Sequence, residues 1–132
     1  MSAAIVYWSQ TGNTEAMANI LAEATGGEAI EWDGFSAARV ADYDALAFGC
    51  PAMGDEELDP DFEELWDACK DELADKPVVL FGSYDWGTGE WMETWADDAC
   101  DSGANVVATV IANLEPDDEA EEALKDAAAK LA

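Results

Sequence analysis

Ser9, Thr11, Asn13 and Thr14 crowd short hydroxyl and amide side chains into one stretch of the chain. An apolar run over residues 3–8 leads into them. A helix-period pattern follows, with Met17, Ile20, Leu21 and Ala24 on one face. That reads as strand, tight loop, helix start. Such a loop leaves backbone N–H groups free at the positive end of a helix dipole, where an anion is favoured. The first basic residue of the chain is Arg39, so a phosphate held here is held by neutral donors. The plainer use of the same residues is capping, since Thr11 or Thr14 alone could start a helix.

Two later loops offer different chemistry. One reads Gly49-Cys50-Pro51-Ala52-Met53-Gly54-Asp55-Glu56, the other Gly82-Ser83-Tyr84-Asp85-Trp86-Gly87-Thr88-Gly89-Glu90. Each sets a large apolar side chain among glycines, Met53 in the first and Tyr84 and Trp86 in the second. A thioether and an indole facing each other can sandwich a flat aromatic ligand. Gly54 and Gly87 let backbone amides approach its edge.

Positioning these loops requires alternating elements. Apolar strand patterns cover residues 3–8, 28–32, 45–50, 77–83 and 105–112. Helical patterns cover 14–25, 61–74, 90–102 and 117–131. Residues 33–42 are too mixed for a long helix. Phe62, Leu65, Trp66, Cys69 and Leu73 form one helical stripe and Trp91, Trp95 and Ala99 another; both read as core. Strand–helix alternation implies a parallel sheet with helices on both faces, and right-handed crossovers favour the order 2-1-3-4-5. Ligands in such sheets sit beyond the carboxyl ends of strands 1 and 3. The three loops lie at those carboxyl ends.

The bulk composition excludes several classes. The 132 residues make one domain, residues 1–132. No stretch is long and apolar enough for a membrane span, and no signal-peptide pattern opens the chain, so a cytoplasmic place is expected. A formal net charge of −26, from 31 acidic and 5 basic residues, repels nucleic acid and anionic membranes and favours basic protein partners. Cys50, Cys69 and Cys100 form no Cys-x-x-Cys and there is no histidine, which removes zinc sites of the Cys/His kind, thioredoxin-like redox chemistry and His-based acid–base catalysis; no metal ligand or catalytic residue is singled out. Each cysteine reads as a small buried apolar residue.

Taken in order, the three loops resemble those of the short-chain flavodoxins, electron carriers with one non-covalent FMN. The matching residues are Val6-Tyr7-Trp8-Ser9 with Thr11-Gly12-Asn13-Thr14-Glu15, then Gly49-Cys50-Pro51-Ala52-Met53-Gly54 with Glu56, then Leu80-Phe81-Gly82-Ser83-Tyr84, Trp86-Gly87 and Gly89-Glu90-Trp91-Met92. The resemblance runs from end to end and implies the three-layer α/β/α flavodoxin-like fold. It implies that Ser9, Gln10, Thr11, Gly12, Asn13 and Thr14 surround the FMN phosphate, with Ser83 nearby. It implies that Pro51, Ala52, Met53, Gly54, Asp55 and Glu56 of the second loop and Tyr84, Asp85, Trp86 and Gly87 of the third border the cofactor, the nearness of Tyr84 being incidental. Met53 and Trp86 flank the isoalloxazine, Glu56 accepts from its N3, and backbone groups around Asp85 and Gly87 meet the pyrimidine edge. The Gly54–Asp55 peptide flips on one-electron reduction to meet the N5–H of a neutral semiquinone. Two positions depart from the usual pattern: Asp85 and Gln10 stand where glycine is common. A side chain at 85 needs a permitted φ or accepts strain.

A low-potential carrier is the implied function, cycling between neutral semiquinone and hydroquinone. Asp55, Glu56, Glu57, Asp59, Asp61, Glu63, Glu64 and Asp67 surround the second loop without a basic residue. One carboxylate ~10 Å from a negative ring costs ~1.7 kcal/mol at an effective dielectric near 20, roughly 70 mV for one electron. Implied partners are reductases and low-potential dehydrogenases with basic docking surfaces, met by a monomer. A flavin-dependent NAD(P)H or quinone reductase on the same fold needs a longer chain, and the acidic rim repels a dinucleotide. A receiver-type signalling module needs a phosphorylatable Asp ending strand 3 and a Lys after strand 5; the chain has Cys50-Pro51 and Ala112-Asn113 there.

Overall fold

In a computed structural model the chain forms a five-stranded parallel sheet between two helical layers. The described residues are 3–9, 12–53, 57–74, 76–85, 87 and 89–131. Strands β1 (Ala3–Tyr7), β2 (Glu28–Glu31), β3 (Ala45–Gly49), β4 (Pro77–Tyr84) and β5 (Asn105–Asn113) lie in the order β2-β1-β3-β4-β5. Helices α1 (Asn13–Thr25), α2 (Pro60–Cys69) and α3 (Glu90–Asp101) lie in the β1–β2, β3–β4 and β4–β5 connections, and α4 (Asp118–Leu131) follows β5. The expected order and alternation are met.

Period-two alternation along the strands divides the core in two. Ala4, Val6, Leu46, Phe48, Val78 and Leu80 face Phe62, Trp66, Trp91 and Trp95 of α2 and α3. Ile5, Tyr7, Ala45, Ala47, Val79 and Phe81 face Met17 and Leu21 of α1 and Leu124 and Ala128 of α4. With both faces covered, β1 and β3 are buried at every position. That is why they read as continuous apolar runs rather than alternating ones.

Several boundaries differ from expectation for local reasons. Asp59 caps α2 by accepting from the N–H groups of Asp61 and Phe62, and Pro60 takes the first helical position. The helix then tightens into a 3-10 turn, Lys70–Glu72, so Leu73 is buried from outside it. Two short 3-10 turns, Trp32–Gly34 and Ala37–Asp42, occupy the segment judged too mixed for a helix. β4 and β5 each run one residue further than expected, because their ladder continues to Tyr84 opposite Asn113. In α1 the inward face is Thr14, Met17, Ala18 and Leu21, while Ala24 is exposed. Cys50 and Cys69 are buried, and burial pushes their thiols up to about 12 and about 11. Cys100 is exposed, a correction to its expected burial. It sits one residue beyond Ala99, and ~100° of helical turn carries it off the inward stripe. No helix among the described residues is long and apolar enough to cross a membrane.

Candidate functional site

The carboxyl end of β1 passes into α1 through Gly12. At φ 93° this glycine is the N-cap, in a conformation that side-chain-bearing residues rarely adopt. A glycine offers no capping oxygen, so Ser9 takes over part of that role. Its Oγ accepts from the N–H of Gly12 at 3.1 Å and of Glu15 at 3.2 Å. The Ser9 hydroxyl hydrogen stays available for a further partner. The N–H groups of Asn13 and Thr14 meet no acceptor among the described residues. The helix therefore opens on unspent donors.

Thr14 does not act as a cap. It lies in the first turn and points into the protein, 1% exposed. Its Oγ1 is 3.0 Å from Ser83 Oγ and accepts from the Ser83 N–H at 3.3 Å. Ser83 is 4% exposed. This pair ties the first loop to the end of β4, across 69 residues of sequence. Tyr7 adds a second tether, donating to Glu15 Oε2 at 3.1 Å. Burial, reinforced by that carboxylate, raises its phenol to about 12.

The second loop is laid across β4 by its backbone. Cys50 N–H donates to Phe81 O, Ala52 N–H to Ser83 O, and Trp91 Nε1 to Cys50 O at 3.3 Å. Gly82 is required beneath it, since a Cβ there would stand 2.2 Å from Cys50 O. Met53 and Glu57 then exchange two backbone bonds of 2.8 Å in an antiparallel bridge. In the third loop Asp85 is exposed, and Leu114 is the one non-glycine residue with positive φ among the described residues. The strain considered for Asp85 is thus not taken up there. Gly87, at φ 98°, supplies the left-handed turn.

The structure brings Ser9, Gly12, Asn13, Thr14 and Ser83 together. It also sets Pro51, Ala52 and Met53 beside the end of β4, where Tyr84, Asp85 and Gly87 follow. Gln10, Thr11, Gly54, Asp55, Glu56 and Trp86 lie outside the described residues.

The flavodoxin family profile matches residues 5–130 of the chain. The chain belongs to the flavodoxin family. It is 45% identical over 133 aligned positions to the flavodoxin of Megasphaera elsdenii, covering 96% of this chain and 97% of the relative. The flavodoxin of Clostridium beijerinckii is 39% identical over 121 positions, 86% of this chain and 88% of that one. The solution structure of the two-electron reduced M. elsdenii flavodoxin superposes with a TM-score of 0.88 over 97% of this chain and 98% of that chain.

The donor set fits the flavin cofactor that flavodoxins carry. An anion at the α1 terminus finds unspent N–H groups and the Ser9 hydroxyl, and no Lys or Arg occurs in any of the three loops. Several basic side chains are engaged elsewhere. Lys70 holds Asp67 and Asp98, Lys76 donates to Tyr43 O, and Arg39 packs over Phe35. Three contacts that shape the site escaped the sequence reading: the pairing of Glu57 with Met53, the Trp91 bond to Cys50 and the Asn113 bonds at the end of β5. Trp91 was legible as core and as part of the third-loop motif but not as a donor to Cys50, and Asn113 only as the residue that follows the fifth strand pattern.

Proposed function

We propose that the chain is a one-electron carrier holding one non-covalent FMN across the carboxyl edge of the sheet, without a substrate of its own. The observation that carries this reading is the neutral anion cradle at the start of α1. Ser9 and two unspent helix N–H groups open it, and the buried Thr14–Ser83 pair fixes it to β4. Bound flavin supplies the redox chemistry, accepting and releasing single electrons.

The protein holds and tunes. Ser9, Thr11, Asn13 and Thr14 donate to the phosphate without neutralising it. Met53 and Trp86 cover the ring faces, Glu56 accepts from its N3–H, and backbone groups at Asp85 and Gly87 meet its edge. The carboxylates following Met53 make additional negative charge on the ring costly, which lowers the potential of the second electron. The same acidity steers partners with basic docking surfaces, met by a cytoplasmic monomer.

Anaerobic stepwise reduction followed by visible absorption tests the reading. Flavin bands near ~375 and ~450 nm, a property of the cofactor, should give way to a long-wavelength band that grows and then bleaches. Direct two-electron bleaching, or turnover with NAD(P)H as sole partner, would overturn the carrier in favour of a reductase. Absence of bands after adding FMN would overturn flavin binding.

A further inference from the structure

We propose that Asn113 is a positioning residue for the third cofactor loop: its side-chain amide draws the Tyr84 and Asp85 carbonyls toward β5 and so turns the Asp85 N–H to the cofactor's edge. The inference rests on the FMN reading and adds to it a residue outside the three loops.

The geometry begins where the sheet ends. Tyr84 and Asn113 are the last paired residues of β4 and β5. Beyond them the ladder gives way to a clamp. Asn113 Nδ2 donates to Tyr84 O at 3.2 Å and to Asp85 O at 3.4 Å. Leu114 N–H donates to the same Tyr84 O at 2.9 Å. Both partners of the Asn113 side chain are carbonyls, so only its NH₂ group can face them. One amide thus fixes two successive carbonyls of the third loop.

Peptide planarity carries the consequence. In a trans peptide the N–H of one residue points opposite to the C=O of the residue before it, and no described peptide is cis. With the Tyr84 carbonyl held against β5, the Asp85 N–H points the other way. There it meets no acceptor among the described residues. It is a donor aimed from the rim of the site, and the pyrimidine edge of a flavin is rich in acceptors.

Leu114 gives independent support. Its φ of 62° is left-handed, a conformation a leucine adopts only under constraint. It is 48% exposed, so packing does not force it there. What the conformation secures is the bond from its N–H to Tyr84 O. Two adjacent residues therefore donate to one carbonyl, one of them from a left-handed backbone, and strain of this kind gathers at functional sites.

Flavin titrations of the full chain test the proposal, with riboflavin and FMN as probes and Asn105→Ala, at the far end of β5, as control. Asn113→Ala should weaken riboflavin and FMN alike, by about three- to tenfold, the worth of one such donor group. The midpoint potential for the first electron should shift with it. Asn113→Asp keeps the shape but replaces the donor with an acceptor, and should weaken both flavins at least as much. Binding of both flavins within about 1.5-fold of wild type in Asn113→Ala, far below the value of a hydrogen bond, would overturn the proposal. So would a loss confined to FMN, which would place Asn113 at the phosphate. A wild-type chain that bound neither flavin would overturn the functional reading and this inference together. Wild-type binding with an indifferent Asn113→Ala would overturn this inference alone.

Discussion

The two ends of the proposed FMN site are built from different materials. At the phosphate end the joints are side chains: Ser9 Oγ on two N–H groups, Thr14 on Ser83, Tyr7 on Glu15. At the ring end the joints are mainly backbone to backbone, Cys50 to Phe81, Ala52 to Ser83, Met53 to Glu57 and Leu114 to Tyr84, with Trp91 and Asn113 adding side-chain donors to backbone carbonyls. Side-chain joints hold a fixed, charged group in one place. Backbone joints leave the side chains at the loop tips free to meet a ring. The difference separates how tightly the phosphate is held from how the ring is tuned, and riboflavin, which lacks the phosphate, is the reagent that separates them in solution.

The largest effect should come from Thr14→Val. The isostere keeps the buried shape but strips the hydroxyl from a residue 1% exposed, leaving Ser83 Oγ and N–H without their partner. A buried polar group so orphaned costs ~1–3 kcal/mol, and the turn that presents the α1 N–H groups to the phosphate loses its anchor on β4. The FMN-over-riboflavin preference should fall ~100-fold, two steps of ~1.4 kcal/mol. Titration with both flavins measures it. Equal weakening of the two would break the comparison and make the Thr14–Ser83 pair mere scaffolding.

Trp91→Phe probes the other end. Phenylalanine preserves most of the core contact with Tyr84 but cannot donate to Cys50 O, the bond that presses the second loop onto β4. Riboflavin and FMN should weaken together by about tenfold, the upper range for one lost hydrogen bond, and their ratio should stay at the wild-type value. The same titrations read it. A changed ratio would mean that the two ends are mechanically coupled through β4.

How much of this was legible beforehand follows the same division. Side-chain chemistry is written in residue types, so Ser9, Asn13, Thr14 and Ser83 could be named from the sequence and are found together. The apolar runs of β1 and β3 announced buried parallel strands, and Gly26 at φ 71° ends α1 where expected. Backbone joints leave no such trace. Nothing in the type of Glu57 tells that it pairs with Met53, and Trp91 advertised its indole ring rather than its N–H. Asn113 read only as the residue after a strand, and its two partners are carbonyls, which every residue has. The exposure of Cys100 was missed because composition tells how often a cysteine is buried, not which side of α3 it occupies.

The smallest effect should come from salt, and its sign is diagnostic. Phosphate sites lined by Lys and Arg weaken as ionic strength rises. Here the cradle is neutral and the chain carries a net charge of −26, so a doubly negative phosphate enters against a repulsive field. One carboxylate ~15 Å from such a phosphate opposes it by ~0.5 kcal/mol in unscreened water. Raising the ionic strength from ~0.01 to ~0.15 M shortens the screening length from ~30 to ~8 Å. Several such terms then fade together, and FMN should bind about fivefold more tightly. Riboflavin carries no charge and should scarcely respond. Fluorescence titrations of both flavins across that range give the answer. If FMN instead weakens with salt, a cation has been recruited to the phosphate, and the end of the site described as neutral works by charge after all.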